Sequence, residues 1–414
     1  MSLWKIVLRS VLERKLSSAL TALSIALGVA VTVAILILQA QGRANFDQTT
    51  FGYSLVVGAK GSRLQLVLNT VFHMDQALGT VPYALYKELK GARDVKLCAP
   101  VAVGDSYNGF RIVGTSSTFL TDFEVAPGRT FAFADGHVFA HAEETLDRIM
   151  AGDHVHAKGE AVIGSQVARR TGLKVRDTFV AEHGLGGAVE AQEHKEEPWT
   201  VVGVLAPTGT PADRAIYINI ESFLAIALHQ EKTAQISAVV VSTRNDIATR
   251  RLEQRINGRA DAQAVVPAMV VGDLFDTFAQ IEAVLLAVSI LVVVVAGVSI
   301  LVSIYNSMSE RRRAIAIMRA LGARRLTVLA IIEMEAMLLC AAGGALGIVG
   351  GHALTAVAGR WIGATAGVAV SPWAPHPFEA AVLGGLVVLG GLVGILPALK
   401  AYRADIADGL TPTA

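Results

Sequence analysis

The chain has 414 residues, 53% of them hydrophobic and only 17% charged, with a mean hydropathy of +0.50. Soluble domains average roughly 25% charged residues, so this composition excludes an all-soluble protein and calls for membrane spans. The net charge of +1 excludes a nucleic-acid binder driven by bulk charge. The two cysteines, Cys98 in a soluble stretch and Cys340 in an apolar one, exclude a disulfide framework.

In chain order, residues 1–15 read as an amphipathic helix lying in the membrane interface. Trp4, Val7, Leu8, Val11 and Leu12 share one face, with Lys5 and Arg9 beside it. A first apolar span follows from Leu16 to Leu38, placed within 16–40. It is longer than the roughly 7–15 residues of a signal-peptide core, so it is read as an uncleaved anchor. Residues 41–277 have ordinary globular composition. Strand-length β-branched runs begin at Ser54, Glu160, Trp199, Ala215 and Ser237. Helical periodicity appears around Tyr83–Leu89 and Ile247–Ile256. This predicts a mixed α/β domain, in which the His-, Glu- and Gly-rich stretch 131–198 is expected as a separate lobe or insertion.

A second span is read from Ala283 to Tyr305, within 278–306, with a helix from Val271 leading into it unbroken. Residues 307–323 form a basic loop with a short amphipathic helix. Ala314, Ile317, Met318 and Leu321 stand at i, i+3, i+4 and i+7, and Gly322 occupies a helix C-cap position. On composition this is a basic helix resting on anionic lipid. The third span occupies 324–357, with Glu333 and Glu335 near its start. An outer loop occupies 358–378, a fourth span 379–400 and a tail 401–414. The predicted fold class is an α-helical membrane protein with four transmembrane helices plus a large extracytoplasmic α/β domain between the first two.

Orientation follows the bias of Lys and Arg to the cytoplasmic side. Lys5, Arg9, Arg14 and Lys15 precede the first span; Arg311, Arg312, Arg313, Arg319, Arg324 and Arg325 lie between the second and third; Lys400 and Arg403 follow the fourth. Both termini are therefore expected in the cytoplasm, and residues 41–277 outside it. Glycines four apart, Gly343 with Gly347 and Gly390 with Gly394, allow close helix approach. The third span is expected to pack on the fourth, with a contact between subunits as the alternative. Glu333 and Glu335, ionisable groups at a span edge, are functional candidates whose simplest partners are Arg324 and Arg325.

No phosphate loop, H-E-x-x-H or G-x-S-x-G occurs, so no catalytic residue is assigned. His137, His141, His154, His156, His183 and His194 crowd one stretch among carboxylates. Neutral imidazoles with carboxylates suit zinc; a solvated polar insertion accounts for the same composition.

Several segments together resemble the MacB/FtsX/LolC class of ABC permeases (type VII), over nearly the whole chain. The cytoplasmic stretch Glu310 to Arg325, the glutamate Glu333, the tail from Pro397 to Arg403 and the outer stretch Glu160 to Thr178 carry the resemblance in order. It implies a non-catalytic permease in the bacterial inner membrane that works as a dimer with an ABC ATPase subunit, which holds the ATP and Mg. It implies that Glu310, Arg311, Arg313, Ile315, Ile317, Met318, Arg319, Leu321 and Gly322 form the helix that docks into that ATPase. It implies export or extraction of an extracytoplasmic substrate, with a periplasmic adaptor, lipoprotein or metal-binding protein as a further partner. The alternative within the class is an FtsX-like regulator of a periplasmic partner.

Overall fold

The computed structural model describes residues 3–13, 15–74, 77–140, 159–183, 198–227, 234–320, 322–366, 370–373 and 377–403. The chain divides into two compact units. One comprises residues 1–41, 277–361 and 370–414; the other comprises 42–276 with 362–369.

In the first unit, α1 (Leu3–Glu13) precedes α2 (Lys15–Thr50), whose distal turns, from Gly42, belong to the second unit. The helices of the second unit are α3 (Arg63–Thr70), α4 (Tyr83–Lys90), α5 (Ser117–Thr121), α6 (Ser165–Thr171), α7 (Ile220–Ala227) and α8 (Asp246–Asn257). Then come α9 (Pro267–Ala320), α10 (Arg325–Ala366) and α11 (Pro377–Arg403).

The strands of the second unit run from β1 (Leu55–Gly58), β2 (Val81–Pro82), β3 (Val95–Tyr107), β4 (Phe110–Thr115) and β5 (Glu124–Ala126) through β6 (Arg129–Thr130), β7 (Phe133–Gly136) and β8 (Glu160–Ile163). They continue with β9 (Thr178–Phe179), β10 (Glu182–His183), β11 (Trp199–Leu205), β12 (Ala215–Asn219), β13 (Gln235–Ile236), β14 (Ala238–Thr243) and β15 (Gln263–Val265).

One 11-stranded sheet has the path β15-β1-β14-β3-β4-β12-β8-β11-β7, with β10 beside β3 and β9 beside β11. Pairing is antiparallel except for β4 with β12 and β8 with β11. The β-branched runs form its centre because both faces are covered, so consecutive residues are buried rather than alternate ones. Val56, Val101, Val113, Tyr217 and Val240 pack on one face against Leu66, Val67, Phe119 and Leu120 of α3 and α5. Leu55, Val57, Val239 and Val241 pack on the other against Leu85, Leu89, Leu252 and Ile256 of α4 and α8. The caps agree with sequence: Ser62 accepts from the Gln65 N–H and Asn245 from the Ala248 N–H.

The strands read from sequence at Ser54, Glu160, Trp199, Ala215 and Ser237 are β1, β8, β11, β12 and β14, and the two helical periodicities are α4 and α8. The stretch 131–198 does not stand apart where it is described. β7, β8 and β9 are strands of the main sheet, and β8 lies between β12 and β11. Its buried Ala161, Val162 and Ile163 are core residues of that sheet; the polar composition that suggested a lobe comes from 141–158 and 184–197, outside the described residues.

Among the described residues three helices are long and apolar enough to cross a membrane: Lys15–Asn45, Leu326–Ile362 and Pro377–Ile395. The expected second span lies inside α9, where the run found among the described residues is Ala283–Val292. The expected short helix at 307–323 is not a separate element. α9 continues to Ala320 because no Gly or Pro stands between Gly297 and Gly322 to break it. Gly322 has φ +98°, the left-handed conformation of a helix-ending glycine.

The glycines of α10 correct the expected packing. Gly343, Gly347 and Gly351 face Ile25, Val29 and Val33 of α2, while Gly344 faces Leu383 and Leu386 of α11. The glycines of α11 do meet α10: Gly390 lies against Ala336 and Cys340, and Gly394 against Ala336 and Glu333. α10 is thus packed on two sides, and its 343/347/351 stripe serves the first span rather than the last. Both cysteines are buried and neither forms a disulfide; one lies in each unit.

A Cβ at position 347 would stand 2.5 Å from Val29 Cβ and 2.8 Å from the Ala26 carbonyl oxygen, whereas nothing lies within 4 Å of one at 384. Gly347→Leu is expected to destabilise the detergent-solubilised protein by about 1–3 kcal/mol or more, seen as a lowered unfolding midpoint. Gly384→Leu should leave that midpoint unchanged.

Candidate functional site: the stalk helices and the domain base

Two helices run from the apolar unit into the soluble one, and the chemistry of the soluble core explains how it holds them. The first turns of α9 contribute Val271 to the core, with Val270 and Phe275 packed against it. Phe275 also lies 3.9 Å from the Cβ position of Gly42 in α2. Three residues beyond the end of α2, Tyr53 stacks on Phe119 with ring centroids 6.2 Å apart and tilts against Phe123 at 5.8 Å. Tyr217 on β12 lies 5.6 Å from Phe119 and 6.5 Å from Phe131. Each aromatic contact of this kind contributes about 0.5–1.5 kcal/mol beyond its buried area. The start of α9 and the segment that follows α2 are therefore part of the sheet's own core.

A small pocket opens beside this aromatic cluster, lined by Tyr53, Val71, His73, Val125, Phe131, Thr210, Ala212 and Tyr217. His73 contacts the Tyr217 hydroxyl through Nε2 at 3.2 Å, and its enclosed Nδ1 has no hydrogen-bond partner. Burial, reinforced by the nearby Arg111 guanidinium, lowers the His73 pKa to about 3. Burial likewise pushes the Tyr53 and Tyr217 hydroxyls well above the usual phenol range. Asp213 shapes the neighbouring loop by accepting from the Thr208 and Gly209 N–H groups and the Thr208 hydroxyl. Sequence reasoning missed this cluster because its members are spread from Tyr53 to Tyr217; the one local sign was a histidine directly after an apolar helix.

The residues expected to couple to an ATPase, Glu310, Arg311, Arg313, Ile315, Ile317, Met318 and Arg319, lie on the last turns of α9 and are described by their helical backbone. Leu321 lies outside the described residues. Glu335 is buried and accepts a hydrogen bond of 3.0 Å from the Ser10 hydroxyl, tying α10 to α1. Glu333 sits in the notch left by glycines of α11, its oxygens 3.4 and 3.3 Å from the Cβ positions of Gly391 and Gly394. Its enclosed Oε2 has no hydrogen-bond partner. α1 itself buries Val7 but exposes Trp4, Leu8 and Leu12, as a helix in an interface would.

Of the six histidines considered as metal ligands, His137 is exposed at the end of β7, with Nδ1 2.8 Å from the Val138 carbonyl oxygen. His183 is on β10, paired with Asp105 of β3. His141, His154, His156 and His194 lie outside the described residues. Among the described residues no group of three or more His, Cys, Asp and Glu converges.

A doubly covered α/β domain inserted between long apolar helices is the architecture of a membrane-anchored protein with one large folded domain. The chain belongs to the family with the MacB-like periplasmic core domain, matched over residues 18–259, followed by the FtsX-like permease C-terminal domain over 286–406. It is an ABC transporter permease of the MacB/FtsX type. It is 29% identical over 228 residues to the macrolide export ATP-binding/permease protein MacB of Rhodopirellula baltica, covering 51% of this chain and 32% of that protein. It is 28% identical over 224 residues to the pyoverdine export ATP-binding/permease protein PvdT of Pseudomonas entomophila, covering 52% of this chain and 33% of that protein. The matched region thus spans about a third of the length of these relatives. The crystal structure of the periplasmic region of MacB from Actinobacillus actinomycetemcomitans matches with a TM-score of 0.35 at 11% identity, over 54% of this chain and 94% of that one.

A histidine kept neutral by the fold must take up a proton when the chain unfolds in mild acid, so its folded-state pKa lies below its unfolded one. Stability is then complete above the unfolded value and falls as pH drops from about 6.5 toward about 3. The expected slope is up to about 1.4 kcal/mol per pH unit. Denaturant titrations of the purified protein from pH 7 to pH 4 should show this slope, and His73→Asn should flatten it.

Proposed function

We propose that the chain is the permease subunit of a bacterial inner-membrane ABC transporter in which a separate ATPase subunit drives movement of the outer domain. It has four spans, the second being the stretch Ala283–Tyr305 of α9. Both termini and the α9–α10 connection face the cytoplasm, where the arginines around Arg313 concentrate. The single observation that supports the reading best is the continuity of α9. One helix begins inside the core of the soluble domain at Val270 and Val271 and ends on the basic segment at Ala320.

At 1.5 Å per residue, 54 residues give a helix about 80 Å long, against about 30 Å of hydrocarbon. Such a helix can carry a displacement from an ATPase contact to the outer domain with no relay between them. The sequence of events is then short. ATP binding closes two ATPase subunits; the last turns of α9 move with them; the cores of two outer domains shift because α9 and α2 are built into them. Substrate is expelled or extracted outside the membrane. The names of the relatives favour export as the direction.

Ile317 and Met318 are the positions to test, because a carboxylate placed in an apolar protein contact is desolvated without a partner. Ile317→Asp or Met318→Asp should lower ATPase co-purification by about tenfold or more, a loss of at least about 1.4 kcal/mol, while the permease still inserts and remains monodisperse. Unchanged co-purification and ATPase activity would return this helix end to the lipid surface and sink the reading.

A further inference from the structure

His73 stands just past α3, in a position that helices usually give to glycine or asparagine. Its φ is +53°, in the left-handed region, and the next residue, Met74, donates its N–H back to the Leu68 carbonyl at 2.9 Å. Such a backbone is uncommon outside glycine and persists where the surrounding structure over-determines it. Here the imidazole lines the pocket beside the aromatic cluster and meets Tyr217 edge-on, ring centroids 6.0 Å apart. The rest of the pocket is equally fixed. The turn held by Asp213 forms one wall, where the Thr210 hydroxyl is bonded to that of Thr208 at 2.7 Å and a one-turn helix, Pro211–Arg214, carries Ala212. Phe131, Ala212 and Tyr217 are buried and make the floor; Tyr53, His73 and Val125 are half-buried and make the mouth. The space between them suits one water-sized group.

The hydrogen-bonding inventory of the pocket says what that group is. The ring is neutral, because burial and the Arg111 guanidinium hold its pKa low. Whichever nitrogen carries the proton, the contact between Nε2 and the Tyr217 hydroxyl leaves the pair with one donor and one acceptor. If Tyr217 donates to Nε2, the Nδ1–H is a donor without a partner among the described residues, and the phenol oxygen keeps a lone pair. If Nε2–H donates to Tyr217, Nδ1 is an acceptor without a partner among them, and the phenol O–H is left to donate. A hydroxyl both donates and accepts, and so answers either arrangement. A charged group fits less well. The fixed charges that bear on the pair are opposite, Arg111 on His73 and Asp213 on Tyr217, and they leave no net counter-charge to replace the hydration that an ion sheds.

We propose that the pocket is a binding site for the hydroxyl of a small uncharged organic solute, held by His73 and Tyr217, with the solute's apolar body against Val125 and Phe131. The walls match that chemistry, a few polar groups set among Val71, Val125, Phe131 and Ala212. An occupant also touches Tyr53, and through it the aromatic cluster that receives the segment after α2.

Photolabelling of the full chain in nanodiscs with azibutanol, a small aliphatic diazirine alcohol, tests this, with adducts mapped by peptide mass spectrometry. Label is expected on the peptides that carry Tyr53, His73 and Tyr217. Isopropanol should compete it away, whereas acetone, which only accepts, and acetate, which is charged, should not. Label taken up by the apolar helices gives an internal reference that none of these changes should move. Ala212→Leu fills the pocket and should abolish the pocket label. Tyr217→Phe keeps the ring packing, removes the hydroxyl and should lower the label about tenfold, the effect of losing one hydrogen bond. The proposal is overturned by absence of label from the three peptides, which would leave the pocket to water. It is overturned equally by competition as strong from acetone or acetate as from isopropanol, or by Tyr217→Phe labelling equal to wild type. The phenylalanine variant decides the matter even where the leucine variant fails to fold.

Discussion

The structure depends on one constraint: a backbone in hydrocarbon must satisfy its own hydrogen bonds, so what crosses the membrane is helix, and a helix with no breaker keeps going. α9 has no Gly or Pro from Val298 to Leu321 and therefore reaches the basic segment without interruption. At its other end the same helix is fixed by burial of Val271 beside Val270 and Phe275. Burying an aliphatic side chain contributes roughly 1.5–3 kcal/mol, enough that the helix cannot shift without either disturbing the sheet's core or taking the domain with it.

The other parts are arranged around that requirement. α2 ends close to Tyr53, whose ring belongs to the aromatic cluster of Phe119, Phe123 and Tyr217. The stripe Gly343, Gly347 and Gly351 brings α10 close to α2, so the first span has a neighbour packed tightly against it within the apolar unit. α10 and α11 meet through Gly390, Gly391 and Gly394, where the Glu333 carboxylate fills the space that side chains would otherwise occupy. Ser10 and Glu335 attach α1 to the first turns of α10.

Much of the soluble domain was legible in the sequence because its central strands are buried on both faces and so read as unbroken β-branched runs. Ser54 to Gly58 and Ser237 to Ser242 are examples, paired in the sheet as β1 and β14. Turn and cap chemistry was legible for the same local reason, as at Gly322. Contacts between distant segments were not. Glycine spacing says that a helix can be approached closely but not by which neighbour, so the α10 stripe was assigned to α11 when it serves α2. Within 131–198 the polar composition flanks a core strand, β8.

The account's central claim is that displacement passes along α9 as one rigid element. The direct measurement places spin labels on the soluble domains of the proposed dimer and compares interlabel distances with and without trapped ATP. It is made on the wild-type chain and on one carrying a Gly-Gly insertion after Ala279. The account predicts a nucleotide-dependent distance change in the wild type, and its loss in the insertion variant while ATP hydrolysis continues. An insertion variant whose outer domains respond like wild type would contradict it.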